Sequence, residues 1–367
     1  MTQARHSHDA AHAPVFIVGC GRSGTTILRL MLNTHSELAI PLESHFIYQL
    51  ARRRASGLYR AGLQDPDVWQ LVLEYFESHR YLQYLGVPVP DVIERLRALP
   101  ERSYGALFET LLTTFMEAQG KHRWGDKTPM HVNYIFLVRH YFPRARFVHI
   151  IRDGRDVALS LLARKWGPRH MNHAGHYWKW LVLGGMIGGH LIGPERYRQV
   201  RYEDLVHDPE SVLKPLCDWL DLKYEPGMLD YHKTAEALSA QHNFGHSAAV
   251  RRPVDRNLMR QWKHKILPRD HASFIRQAGS LLQYLDYDVP DLPVRQRKDL
   301  ARIKDVLAME RTELLATKAH RPGNEVAART SLLAARLVQL WCYLNGDYKN
   351  WALAGIRWQQ TVASLMR

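Results

Sequence analysis

Residues 14–26, P-V-F-I-V-G-C-G-R-S-G-T-T, run directly into the apolar-periodic segment I-L-R-L-M-L. An apolar, β-rich stretch at 15–18 therefore enters a glycine-rich turn that opens a helix near Thr25. Gly19, Gly21 and Gly24 permit backbone angles that a side chain forbids, so successive N–H groups can converge on an anion. The helix N-terminus adds its partial positive charge. Strands alternating with helices along the chain indicate a parallel sheet covered on both faces.

The loop differs from that of nucleoside triphosphatases, which ends G-K-[ST]. Here Gly24 precedes Thr25, and the cation, Arg22, stands earlier. A second corner lies at 146–165, R-F-V-H-I-I-R-D-G-R-D-V-A-L-S-L-L-A-R-K. Residues 147–151 read as a buried strand, 152–154 as a turn and 156–164 as a helix. Arg152 then sits at the carboxyl edge of a strand, where open α/β sheets bind ligands. Ser160 follows two turns into the helix, with Arg164 one turn further on the same face. Arginine, serine and arginine together can clamp a phosphate monoester.

Both corners resemble those of sulfotransferases, which use 3′-phosphoadenosine 5′-phosphosulfate (PAPS). The form Arg22-Ser23-Gly24-Thr25-Thr26 is closest to the tyrosylprotein and bacterial branches, and the V-R-Y-E-D-L…D-P block at 200–209 is similar too. The resemblance implies a three-layer α/β/α parallel sheet of the P-loop nucleotide-binding type. It implies that residues 21–26 hold the 5′-phosphosulfate, and that Arg152, Ser160 and Arg164 hold the 3′-phosphate. A glutamate 21 residues beyond the loop cation serves as base in that branch, which points to Glu43. Lys127, in W-G-D-K-T-P-M-H, matches the lysine that approaches the sulfuryl group. Thr128 follows as in the cytosolic branch, but Pro129 replaces that branch's histidine base, leaving His45 and His131 as fallbacks. Tyr202 falls where relatives contact adenine or ribose. Ser247, Arg251 and Arg252 fall in a segment resembling the loop that closes over the cofactor.

Read physically, W-G-D-K-T-P looks like a turn, and Glu43 is expected at the end of a short strand at 37–41. Desolvation there would raise its pKa toward neutrality. Residues 52–115 show helical spacing and no strand; Tyr59, Trp69, Tyr75, Phe76, Tyr81 and Tyr84 in it either roof an acceptor pocket or pack a core. Residues 199–205 read as strand then turn, and Asp208-Pro209-Glu210 as a capped helix start. His170, His173 and His176, spaced by threes, lack the H-E-x-x-H pairing, and no metal is expected.

The formal net charge of +14 suits a polyanionic cofactor, and no nucleic-acid-binding motif accompanies it. Cys20, Cys217 and Cys342 form no zinc or redox spacing, which points to reduced thiols in the cytoplasm. Residues 180–193, the longest apolar run, are too short and glycine-broken to span a membrane. No signal peptide or anchor is expected at the N-terminus.

The expected organisation is a frayed tail at 1–13, an α/β domain at 14–293 and a helical extension at 294–367. Within the extension, 295–318 is charged and helical, and 324–367 carries a Leu, Val and Trp stripe suited to packing on the core or on a second copy. The expected activity is sulfuryl transfer from PAPS to an acceptor hydroxyl on a small molecule, glycan or peptide, releasing adenosine 3′,5′-bisphosphate. A small-molecule kinase using ATP and a non-catalytic nucleotide-binding protein are the alternatives.

Overall fold

The computed structural model describes residues 13–46, 62–78, 82, 89–233, 255–289 and 291–308. Five strands form one sheet: β1 Val15–Gly19, β2 Leu38–Ala39, β3 Arg123–Lys127, β4 Arg146–Ile151 and β5 Tyr197–Arg201. Their order is β2-β3-β1-β4-β5, and every pair is parallel. The helices of the first half are α1 Thr25–Thr34, α2 Pro66–Ser78, α3 Val89–Arg97, α4 Tyr104–Ala118 and α5 Ile135–Tyr141. Then come α6 Gly154–Leu162, α7 Met171–Ile192, α8 Tyr202–His207 and α9 Pro209–Trp219. The last are α10 Trp262–Lys265, α11 Pro268–Tyr284 and α12 Val294–Ala308.

The central strand β1 is apolar without a break, and β4 nearly so, because both faces of the sheet are covered there. Phe16 and Val18 of β1, with Phe147 and Ile151 of β4, face one core. That core is filled from α4, α6, α7 and α11 by Phe108, Leu161, Trp178 and Phe274. Val15, Ile17, Val148 and Ile150 face the opposite core, shared with Leu28 of α1, Leu205 of α8 and Leu213 of α9. The α/β/α layering implied by the resemblance is therefore present.

Three local readings need correction. W-G-D-K is a strand, not a turn: Arg123 to Lys127 are all buried and pair with β1 and β2. Its charged residues hid it from an apolar-pattern reading, yet each has a partner. The Arg123 Nε donates to Ala13 O at 2.8 Å, Asp126 meets His131, and Lys127 meets Glu43. Gly125 is required by close packing, since a Cβ there would stand 2.6 Å from Val15 O. The helix after β4 starts earlier than expected, because Asp153 accepts from Arg155 N and caps it. It also ends earlier, at Leu162, so Arg164 lies in the following turn rather than on the helix. Finally, β5 stops at Arg201 and Tyr202 already begins a helix.

In the strandless stretch, Trp69, Tyr75 and Phe76 are core residues, and Phe46 packs on Phe76 with ring centroids 4.9 Å apart. Tyr59, Tyr81 and Tyr84 lie outside the described residues. Helix α12 is stitched to α11 by Gln296, which accepts from Ser280 N and donates to Arg276 O, both at 2.9 Å. The remaining expectations for the extension, its Trp stripe included, also lie outside the described residues. No helix among the described residues is long and apolar enough to cross a membrane.

Candidate active site

At the first corner, α1 begins at Gly24 with no side-chain cap and no acidic residue in its first turn. The N–H groups of that turn thus meet no competing side-chain acceptor from the cap position. Gly24 adopts φ +92°, and a Cβ on it would collide with Tyr202 Cδ2 at 2.3 Å. Arg22 itself is left-handed at φ 73°, a strained conformation of the kind that clusters at functional sites. Buried Ser23 Oγ has no hydrogen-bond partner among the described residues.

The two corners meet. Arg22 Nε donates to Ser160 Oγ at 3.0 Å, and Arg152 approaches Arg22 O at 3.4 Å. The Arg152 guanidinium lies 4.3 Å from the centre of the Tyr202 ring. Tyr202 is thus held beneath the loop, with 2% of its surface exposed. Burial first, then the charges of Arg164 and Arg152, push the Arg22 guanidinium below its ordinary range, with Glu43 opposing. The Nε atoms of Arg152 and Arg164 are buried without partners among the described residues. Three crowded guanidiniums, an orphaned hydroxyl and an uncapped helix together suit a ligand with several negative charges.

Glu43 follows β2, and its approach is set from two sides. Arg29 and Asn33 of α1 bind Ile40 O and Ile40 N, each at 2.8 Å. Just after β3, Thr128 Oγ1 accepts from Ser44 N at 3.1 Å and from His45 N at 3.4 Å. Thr128 in turn donates to Asp126 Oδ1 at 3.3 Å, and Asp126 Oδ2 lies 2.9 Å from His131 Nδ1. The Glu43 carboxylate so placed meets Lys127 Nζ at 2.7 Å and His45 Nε2 at 3.0 Å. Lys127 is 1% exposed and Glu43 35%. A buried ammonium therefore faces a carboxylate that still reaches solvent.

This arrangement reverses the expected pKa of Glu43. Burial alone would raise it, but the Lys127 charge and the His45 hydrogen bond and charge outweigh that. The carboxyl is held well below the usual carboxylate range. His131 is not placed as a base, because it is wholly buried beside Phe16 and Phe108 and faces Asp126. His45 remains at the site, on the far oxygen of Glu43. His170 and His173 form a ring pair, 5.6 Å between centroids, at the start of α7. Ser247, Arg251 and Arg252 lie outside the described residues.

Sequence reasoning missed the supports: Asn33, Asp126 and the partners of the second corner. Asn33 is a buried polar residue at the end of the apolar-periodic α1, which was its one legible signal; Asp126, among the charged residues of β3, gave none.

The chain belongs to the sulfotransferase family, whose pattern matches residues 14–226. An uncharacterized protein of Aquifex aeolicus is 24% identical over 68% of this chain and 30% of its own length. The protein-tyrosine sulfotransferase A of Caenorhabditis elegans is 23% identical over 85% of this chain and 74% of its own length. The chain thus spans under a third of the first relative and about three quarters of the second. Among solved structures, the sulfotransferase domain from the Synechococcus PCC 7002 olefin synthase superposes with a TM-score of 0.53 at 24% identity. The match covers 77% of this chain and 98% of that domain, and it establishes the shared fold.

Proposed function

We propose that this protein moves a sulfuryl group from PAPS to the hydroxyl of an acceptor. The observation that carries the reading is the contact of Arg22 with Ser160, which brings a 5′-phosphate cradle and a phosphate clamp into one site. The amides of residues 21–26 and Arg22 would hold the 5′ end of the donor, and Arg152, Ser160 and Arg164 its 3′-phosphate. When bound, PAPS supplies the sulfuryl group and departs as adenosine 3′,5′-bisphosphate.

Glu43 takes the proton of the acceptor hydroxyl as its oxygen bonds to sulfur and the bond from sulfur to the phosphate oxygen breaks. Lys127 and Arg22 offset the negative charge on the group in transit. The resting Lys127–Glu43 pair suits this division of labour. Any anion that draws the Lys127 ammonium away raises the affinity of Glu43 for a proton. The base thus strengthens when donor is present. The thiols of Cys20 and Cys217, buried and free among the described residues, are consistent with action in a reducing compartment such as the cytoplasm.

A tyrosine-containing peptide is the first acceptor to try, in view of the nematode relative. Adenosine 3′,5′-bisphosphate at a hundred times its Kd is expected to add about 2.7 kcal/mol of stability, with ATP and Mg²⁺ adding far less. The reverse order in a melting experiment would favour a kinase. Glu43→Gln is expected to lower sulfuryl transfer by about 100-fold or more while bisphosphate still stabilises the variant. Stabilisation without any turnover in the parent protein, across acceptor classes, would favour a non-catalytic nucleotide-binding protein.

A further inference from the structure

The segment that re-enters the described fold at Asp255 runs along the second corner as a short strap, and one helix start holds it. Arg152 donates to Leu258 O at 2.6 Å. Four residues on, the Asp156 carboxylate accepts from Arg260 N at 2.8 Å and from Trp262 N at 2.9 Å. Between them Arg155, paired with Asp153, lies 3.5 Å from the centre of the Trp262 ring. His271 stacks with the same indole at 5.1 Å and an interplanar angle of 5°. That indole is engaged by its own neighbours rather than left as a platform for a base. Arg260 is left-handed at φ 56°, so the strap turns sharply where Asp156 grips it.

Asp156 is otherwise out of place. Its side chain is 1% exposed and stands 3.7 Å from Arg152, so its charge opposes any phosphate that Arg152 would bind. Its two backbone contacts account for it better than its charge does. We propose that Asp156 is a positioning residue for the donor nucleotide. It pins residues 258–262 against α6, and the pinned strap, through Leu258 O, fixes the Arg152 guanidinium in its place between Tyr202 and the phosphate loop.

The inference rests on the sulfotransferase reading above, and its test separates the two. Affinities are measured by calorimetry for adenosine 3′,5′-bisphosphate and for adenosine 5′-monophosphate, which lacks the 3′-phosphate. In the parent protein the bisphosphate is expected to bind more tightly; equal affinities would overturn the donor assignment and this inference with it. Asp156→Asn removes the opposing charge while keeping the shape, so a purely electrostatic role predicts tighter bisphosphate binding. Positioning predicts the opposite sign. An amide accepts through one atom only, and the preference for bisphosphate over monophosphate is expected to fall about threefold in Asp156→Asn and about tenfold in Asp156→Ala. Monophosphate affinity is expected to stay near that of the parent in both variants. A preference unchanged or increased in the Asn variant, or equal losses for both nucleotides, would overturn the role while leaving the donor assignment intact. Melting curves confirm that each variant compared is folded, and the Asn variant carries the test if the Ala variant is not.

Discussion

The two strand-to-helix corners solve the same problem in opposite ways. At the first, α1 begins without a cap, without a first-turn acid and with an orphaned Ser23 hydroxyl. At the second, α6 is capped by Asp153 and carries Asp156 in its first turn. The first corner keeps its backbone donors for an outside anion. The second fills the Arg155 N–H with Asp153, and under the proposed donor assignment anion binding there falls to the side chains of Arg152, Ser160 and Arg164. A helix N-terminus is therefore an anion site only where the chain has not already filled it.

The sharpest way to break this contrast is at Asp153. Asp153→Ala removes both the cap and the partner of a guanidinium that is 1% exposed, Arg155. A loss of about 3 kcal/mol is expected in denaturant unfolding. Gly24→Ala attacks the other corner, forcing strain of about 1–3 kcal/mol together with the Tyr202 collision. Its main effect is expected in binding, with bisphosphate weakened by roughly 100-fold in calorimetry. If Gly24→Ala destabilised the fold and left affinity intact, the contrast between corners would fail.

Arg152→Ala tests the side-chain route. Losing charge-assisted hydrogen bonds worth about 1.5–3 kcal/mol should weaken the bisphosphate by at least about tenfold and the monophosphate far less. The smallest effect is expected between the corners, in the pH profile. Because Lys127 and His45 hold Glu43 in its charged form, kcat/KM should persist well below the ordinary carboxylate pKa. Lys127→Met removes a charge that lowers that pKa, so the acidic limb of the residual activity should move to higher pH. A limb that stays put would separate Glu43 from the titration.

Legibility followed the kind of interaction. The first corner was readable because glycines and apolar β-formers act over a few residues, and β1 and α1 appear where that local chemistry puts them. Strand β3 was not, because its charged residues break the apolar pattern, and Arg123 and Lys127 are buried only by virtue of partners far away in sequence. The pKa of Glu43 failed for the same reason: burial was foreseeable, but the ammonium at 2.7 Å was not.

By itself, the amino-acid order determined which turns could cradle phosphate and that parallel strands would be covered on both faces. Those properties reside in backbone angles and in the period of apolar residues. Only the tertiary structure decided that Arg22 meets Ser160 across 138 residues, and Lys127 meets Glu43 across 84. Contacts at such separation depend on how strands are ordered in the sheet, which no local preference encodes.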